Sequence, residues 1–324
     1  MPELAVAVCA CTYKRPEGLR ALLAGVAALT FHDTAARLGA WPRLMVVIAD
    51  NEGSEGARAI CAGFHHPETM PIVYVHEPRR GIPFARNACL DHLPPNCDVF
   101  AFVDDDEVPA PDWLDQLLSA QAKTGADVVA GRVMPVFENG TPDWIAAGGF
   151  FGAPRRSYDL DMPRLDDLQE LDRAATNNVL VRAVAVQGAG LRFDTTGFAL
   201  SGGSDTLFFR TLRERGCLIV FARRAVVYDH IPASRANLRY MVRERFRIAN
   251  INTIIDAVVA GRQRPQADRA LDGAKHLGLA LRRIAKTAVS KKRSKDRYAV
   301  GVFQMAHGLG IIAAALGFRY QHYK

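Results

Sequence analysis

Acidic residues run out toward the end of this chain. Residues 232–324 carry five Asp or Glu against 19 Lys or Arg, whereas residues 1–231 carry 29 acids against 22 bases. The net charge of +7 therefore conceals two parts with opposite preferences. An acidic body suits cation-assisted chemistry, and a basic tail suits an anionic surface, lipid headgroups or nucleic acid. Cysteine is also sparse. The six thiols form no CxxC pair, and Cys9 and Cys11 would share one face of a strand, poor geometry for a disulfide. Reduced, mostly buried thiols of a cytosolic protein are expected. No basic n-region precedes LAVAVCAC, so no secretory signal is expected. Neither GxGxxG nor GxxxxGK[ST] follows the first apolar run, which removes support for a dinucleotide fingerprint or a P-loop. Internal repeats are absent.

What the chain does contain is alternation. Short apolar runs at 4–12, 44–51, 71–77, 97–103 and 126–133 read as strands. Amphipathic stretches at 15–29, 54–64, 81–93 and 112–125 read as the helices between them, with Pro16 suited to a first turn. Nearly continuous apolar strands alternating with helices predict an α/β fold with a mostly parallel sheet covered on both faces. From 134 to about 175 the pattern loosens into a long functional loop. A strand at 176–182, a Gly-led helix at 202–216 and one or two strands at 217–230 follow. From 234 the chain is helical and basic, and residues 299–318 carry no formal charge. That last stretch has the length of a bilayer span, weakened by four glycines, Gln304 and His307, and flanked by the basic KKRSKDR. Spanning, interfacial and buried readings of it stay open.

Residues 100–107 read FAFVDDDE, four acids at the tip of a buried strand. Carboxylates so close repel one another unless a cation or a solvated turn relieves them. In parallel sheets ligands bind outside the carboxyl ends of the strands, and Thr12/Tyr13, Asp50/Asn51 and Asp104–Glu107 all fall at that edge.

CTYKRPEGL, VVIADNEG, GIPFARNACLDHL, FVDDDEVPAPDWL and GGSDTLFFRTLRERG occur in the order and spacing of inverting family-2 glycosyltransferases with the GT-A fold, which residues 4–250 resemble. HIPASRANL, RERFR and the apolar C-terminus extend the likeness to the β-glucosyltransferases of succinoglycan-type exopolysaccharide synthesis. The resemblance implies a Rossmann-like domain over 1–233, with a nucleotide-sugar half to about 133 and an acceptor half over 134–233. A basic, helical, membrane-associating region over 234–324 follows. It also implies a UDP-sugar donor, with glucose first among the hexoses, and Mg2+ or Mn2+ to offset charge on the leaving diphosphate.

On that resemblance Asp106 contacts the metal, with His230 a further ligand candidate. Asp104 orients the donor, and Asp105 and Glu107 support the pair. Thr12, Tyr13, Arg15, Asp50, Arg86 and Asp105 sit on the nucleotide side, with Tyr13 stacking on the base and Asp50 accepting from the uracil imide. Asn178 faces the donor sugar. Asp205 is the general base, although the family's preceding Glu is Ser204 here. Arg243, Arg245 and Arg247 form a diphosphate or headgroup segment. The QxxRW motif of processive enzymes is absent, which favours addition of a single sugar. The expected acceptor is a polyprenyl-diphosphate-linked saccharide, the expected surface an anionic membrane at the cytoplasmic face, and no nucleic acid is expected. Two rivals remain: a nucleotidyltransferase, for which CTYKRPEG makes a poor loop, and a non-catalytic binder of membranes or nucleic acid. The second would gain nothing from Asp104, Asp106 and Asp205.

Overall fold

Both residue parities of the first strand are apolar, and the computed structural model shows where each goes. It describes residues 4–53, 55–64, 70–151, 165–188, 190–199, 201–259, 265–290 and 294–321. The chain begins with β1 (Ala5–Thr12), α1 (Pro16–Ala27), α2 (His32–Leu38), β2 (Arg43–Asp50), α3 (Glu55–Gly63) and β3 (Ile72–His76). It continues through α4 (Ile82–Asp91), β4 (Val99–Val103), β5 (Glu107–Pro109), α5 (Trp113–Thr124), β6 (Val128–Phe137) and α6 (Asp143–Gly148). Next come β7 (Asn178–Arg182), α7 (Ala183–Gln187), α8 (Ser204–Glu214) and β8 (Ile219–Ile231). The last elements are α9 (Leu238–Val259), α10 (Gln266–Ala288) and α11 (Lys295–Ala315). From β1, Val6, Val8 and Ala10 enter a core with Leu19, Leu22, Trp113 and Leu117. Ala7 and Cys9 enter the other, with Ala85, Cys89 and Phe208. A strand buried on both faces must be apolar at every position, which is why it reads as an unbroken run.

The sheet order is β3-β2-β1-β4-β7-β6-β8-β5. The parallel arrangement holds for β1 with β2, β2 with β3 and β1 with β4. It then gives way: β4 with β7, β6 with β7 and β5 with β8 are antiparallel. The sheet is thus mixed, its parallel half carrying the carboxyl ends of β1, β2 and β4, where the acids lie.

Pro16 opens α1 as expected, and the next turn explains a glycine. A Cβ on Gly18 would run into the main-chain carbonyl of Asp105, so the helix start lies directly on the backbone of the acid cluster. Gly18→Ala must displace one or the other. It is expected to cost about 1–3 kcal/mol, read as a lower urea midpoint with an unchanged slope. An unaltered midpoint would mean that this contact does not fix the two segments.

The chain divides into two compact units, one of residues 1–134, 165–199 and 204–229, the other of 135–164, 200–203 and 230–324. In the second, Ile145, Phe150, Met241, Ala299 and Phe303 form a small core, and α11 packs against both α9 and α10. The charge-free stretch at 299–318 belongs largely to α11. That helix is long and apolar enough to cross a membrane, while 44% of its apolar window is buried. Its glycines serve packing. A Cβ on Gly308 would stand 2.7 Å from the carbonyl of Gly273 in α10, one on Gly301 would stand 2.6 Å from Ile284, and one on Gly310 would strike the carbonyl of Phe246 in α9. Of the loop expected over 134–175, the start continues β6 and forms α6, and residues 152–164 lie outside the described residues, as do 291–293 of the basic run.

Candidate active site

The carboxyl end of β4 gathers the acidic side chains of the candidate site, Asp104–Glu107, Asp205 and Asp229, all within the first unit. Asp104 follows the strand and Glu107 begins β5, which pairs antiparallel with β8 so that Glu107 stands opposite Asp229. The turn closes on itself: the Asp104 amide donates to Glu107 Oε2 at 3.2 Å. Asn177 Nδ2, just ahead of β7, donates to Glu107 Oε1 at 3.1 Å. From the end of β1, Thr12 Oγ1 donates to Asp105 Oδ2 at 2.9 Å. Arg15 Nη1 reaches Asp105 Oδ1 at 2.7 Å and Asp106 Oδ2 at 2.9 Å. Between Thr12 and Arg15, Lys14 takes a left-handed φ of 57°, a conformation that costs a non-glycine residue energy. Tyr13 beside it is 43% exposed, with Lys14 over its ring at 5.2 Å.

Asp205 lies in the first turn of α8; its Oδ1 accepts from the Thr206 amide at 2.7 Å. Gly202 and Gly203, at φ 76° and 87°, make the left-handed turn before it. Arg86, buried on α4, donates to Ser204 Oγ at 3.1 Å and lies 5.6 Å from the Phe193 ring. Burial pushes the Asp104 carboxyl up to about 7; Arg86 opposes the rise, and the charges of Asp106, Asp105 and Asp205 add to it. Asp104 thus feels the base candidate and the turn acids together. Burial also raises Asp105, in spite of Arg15 and Thr12. Glu107 is raised well above the usual range, first by burial and then by Asp104 and Asp229.

Six carboxyl groups share this edge with the guanidiniums of Arg15 and Arg86, an excess of negative charge that attracts a cation. Among the described residues no three His, Cys, Asp or Glu side chains converge to hold a metal. A dication such as Mg2+ is bound in just such places by one or two carboxylates plus substrate phosphates, so the donor set fits a metal completed by a diphosphate.

Two residues expected here are employed otherwise. Asn178 is buried in β7. Trp113 Nε1 donates to its Oδ1 at 2.8 Å, and its Nδ2 donates to the carbonyls of Arg132 and Ala225, both at 3.0 Å. It ties three segments of the sheet, and its neighbour Asn177 faces the acids instead. His230 is exposed and follows Asp229 in an extended strand, so it points to the opposite face. Asp229 is the β8 residue whose charge reaches Glu107. Asp50 is buried at the end of β2, accepting from Tyr74 Oη at 2.8 Å and the Glu52 amide at 2.9 Å. Arg243 and Arg245 belong to the second unit. Arg243 is exposed over Tyr240 at 5.5 Å, Arg245 is buried 5.5 Å from the Phe303 ring, and Arg247 is clamped by Glu244 at 2.7 Å.

Residues 7–185 match the family described as Glycosyl transferase family 2, and the chain belongs to that family: it is a glycosyltransferase. It is 35% identical over 265 residues to the succinoglycan biosynthesis protein ExoM of Rhizobium meliloti, covering 82% of this chain and 79% of that protein. It is 24% identical over 183 residues to the glycosyltransferase AglE of Haloferax volcanii, covering 56% and 55%. Among solved structures, the mannosyltransferase PcManGT of Pyrobaculum calidifontis, in complex with GDP-Man and Mn2+, aligns with a TM-score of 0.56 at 16% identity over 98% of this chain and 75% of that one. TarS 1-349 of S. aureus with UDP aligns with a TM-score of 0.50 at 15% identity over 98% and 93%. At such identities these two speak for the fold, which is of the GT-A type.

Proposed function

We propose that this glycosyltransferase moves a single hexose, glucose first among the candidates, from a UDP-sugar to a polyprenyl-diphosphate-linked saccharide, with inversion, during exopolysaccharide synthesis at the cytoplasmic membrane face. The observation that carries the reading is the meeting of Asp104–Glu107 at the end of β4 with Asp205 at the start of α8, close enough that Asp205 shifts the Asp104 carboxyl. ExoM, by its name a succinoglycan biosynthesis protein, supports the pathway class. The solved structures that hold GDP-Man with Mn2+ and UDP support the donor class.

Asp205 accepts the proton of the acceptor hydroxyl as its oxygen attacks the anomeric carbon; the bond from that carbon to the diphosphate oxygen breaks, and UDP leaves. Gly202 and Gly203 supply the left-handed turn that leads the chain into α8, and a Cβ on Gly203 would run into Ile251. Thr12 and Arg15 hold Asp105, which keeps the turn fixed while Asp106 faces the diphosphate, and the exposed Tyr13 ring offers a stacking surface for the nucleobase. Asp104 and Asp106 would hold Mg2+ or Mn2+, which when bound supplies positive charge to the leaving diphosphate. Arg86 offsets the charge of Asp104. Incubation with a panel of UDP-sugars, Mg2+ or Mn2+ and a polyprenyl-diphosphate-linked saccharide tests the donor: UDP release that needs the metal, the acceptor and one sugar supports the reading, and no release with any of the sugars contradicts it.

The elevated Asp104 carboxyl gives a pH signature. In the metal-free protein the native state holds this proton up to about 7 while the unfolded chain has released it. Its share of stability is therefore present at low pH and lost as pH rises through 7. A cation competes with that proton, so Mn2+–UDP should bind more tightly at pH 8 than at pH 6, with proton release measurable in buffers of different ionisation enthalpy. Affinity flat across this range, with no protons released, would remove Asp104 from the cation's surroundings.

A further inference from the structure

The apolar helix α11 draws the eye as a membrane element, yet among the described residues an open apolar face lies elsewhere. In the second unit, α10 packs on α11, and α11 in turn on α9. The inner side of α10 is used: Gly273 meets Gly308, Ile284 meets Gly301, and Ala280 is buried. Its outer side is open. Leu271 is 57% exposed, Leu279 48%, Leu281 60% and the capping Val289 85%, and Ala274, Gly278 and Ala285 are exposed with them. At about 100° per residue, Leu271, Ala274, Gly278, Leu281, Ala285 and Val289 form one stripe, with Lys275, Arg282 and Lys286 exposed along its flank.

The acids of α10, Asp268 and Asp272, sit in its first two turns, and Asp272 holds Lys275 at 3.1 Å. Beyond them residues 273–297 carry nine Lys or Arg and one Asp. A shallow strip of leucine, valine, alanine and glycine edged by long basic side chains is the composition of a helix that lies in a bilayer interface. The apolar edge enters the acyl boundary and the ammonium and guanidinium groups reach the phosphates. A second copy of the chain is a poor occupant, because the same face would set Arg282 and Lys286 against like charges.

We propose that the outward face of α10 is a docking surface for an anionic lipid bilayer, which the protein touches without α11 leaving its bundle. This rests on the membrane-face reading above and names the surface responsible. The expected binding is peripheral, salt-sensitive and dependent on anionic headgroups.

The test is co-sedimentation of the full chain with vesicles of equal parts phosphatidylglycerol and phosphatidylcholine, and with phosphatidylcholine alone. Two triple variants are compared: Lys275→Gln with Arg282→Gln and Lys286→Gln, and Leu271→Gln with Leu281→Gln and Val289→Gln. All six side chains are exposed or capping, and a circular dichroism melt checks each fold. The wild type should bind the anionic vesicles and be released by high salt or alkaline carbonate. The charge variant should bind about a hundredfold more weakly, roughly fivefold for each cation lost, and the apolar variant should also lose binding. Wild-type binding that both variants retain would overturn this face while leaving the membrane reading intact. No wild-type binding would overturn both. Retention through carbonate would assign the contact to an inserted α11, and self-association abolished by the apolar variant would make the face a contact between copies; either result overturns the proposal.

Discussion

Asp205→Asn is expected to reduce sugar transfer by about a thousandfold, the scale of a lost general base, while metal-dependent UDP binding stays nearly unchanged. The substitution keeps the size of the side chain and its hydrogen bond from the Thr206 amide, so α8 should start as before. What disappears is the ability to take a proton from the acceptor hydroxyl. Removing one negative charge from the edge should also let Asp104 ionise more readily, since Asp205 is one of the groups that raise it. Transfer rates from initial velocities, set beside UDP titrations by calorimetry, separate the two effects. Equal loss of transfer and of UDP binding would mean that Asp205 holds the donor and that the base is another group.

Asp106→Ala should do the opposite. It removes a carboxylate from a site with few protein ligands for a cation, and UDP affinity in the presence of Mn2+ should fall about a hundredfold. Affinity with the metal chelated should be little altered. Arg15 bridges Asp105 and Asp106, and in the variant it keeps Asp105, so the buried carboxylate does not lose its partner and the fold should persist. If the Mn2+-dependent gain in affinity survives in full, Asp106 does not touch the metal.

The elements that were legible in the sequence are those whose signal is local. β1, β2 and β4 are unbroken apolar runs because helices cover both of their faces, and Pro16 marks the start of α1. What escaped depends on distant partners. The seven residues of α2 show little helical patterning. Its first amides are capped by Asp115 of α5, which accepts from Asp33 N and Thr34 N, each at 2.8 Å, an arrangement no local window contains. β5 has three residues, one of them Pro109, and exists through pairing with β8.

The candidate site divides in the same way. The acid run, Asp205 and Arg86 stand out by residue type and spacing, and the fold brings them together. The choice between Asn177 and Asn178 does not stand out. TNNVL offers two amides one residue apart, and β7 has a side-chain period of two. Only its pairing with β4, Asn178 beside Val103, fixes which amide turns into the sheet and which toward Glu107. The same parity separates Asp229 from His230. A polar residue near a strand end can be recognised from sequence, while the face it takes is decided by a neighbour far along the chain.

The most direct measurement is anomalous diffraction at the manganese edge from crystals grown with Mn2+ and UDP. A single strong peak beside the Asp106 carboxylate, with diphosphate density next to it and Asp205 across the opening, is the predicted result. A manganese peak bound elsewhere, with UDP density away from the Asp104–Glu107 turn, would contradict it.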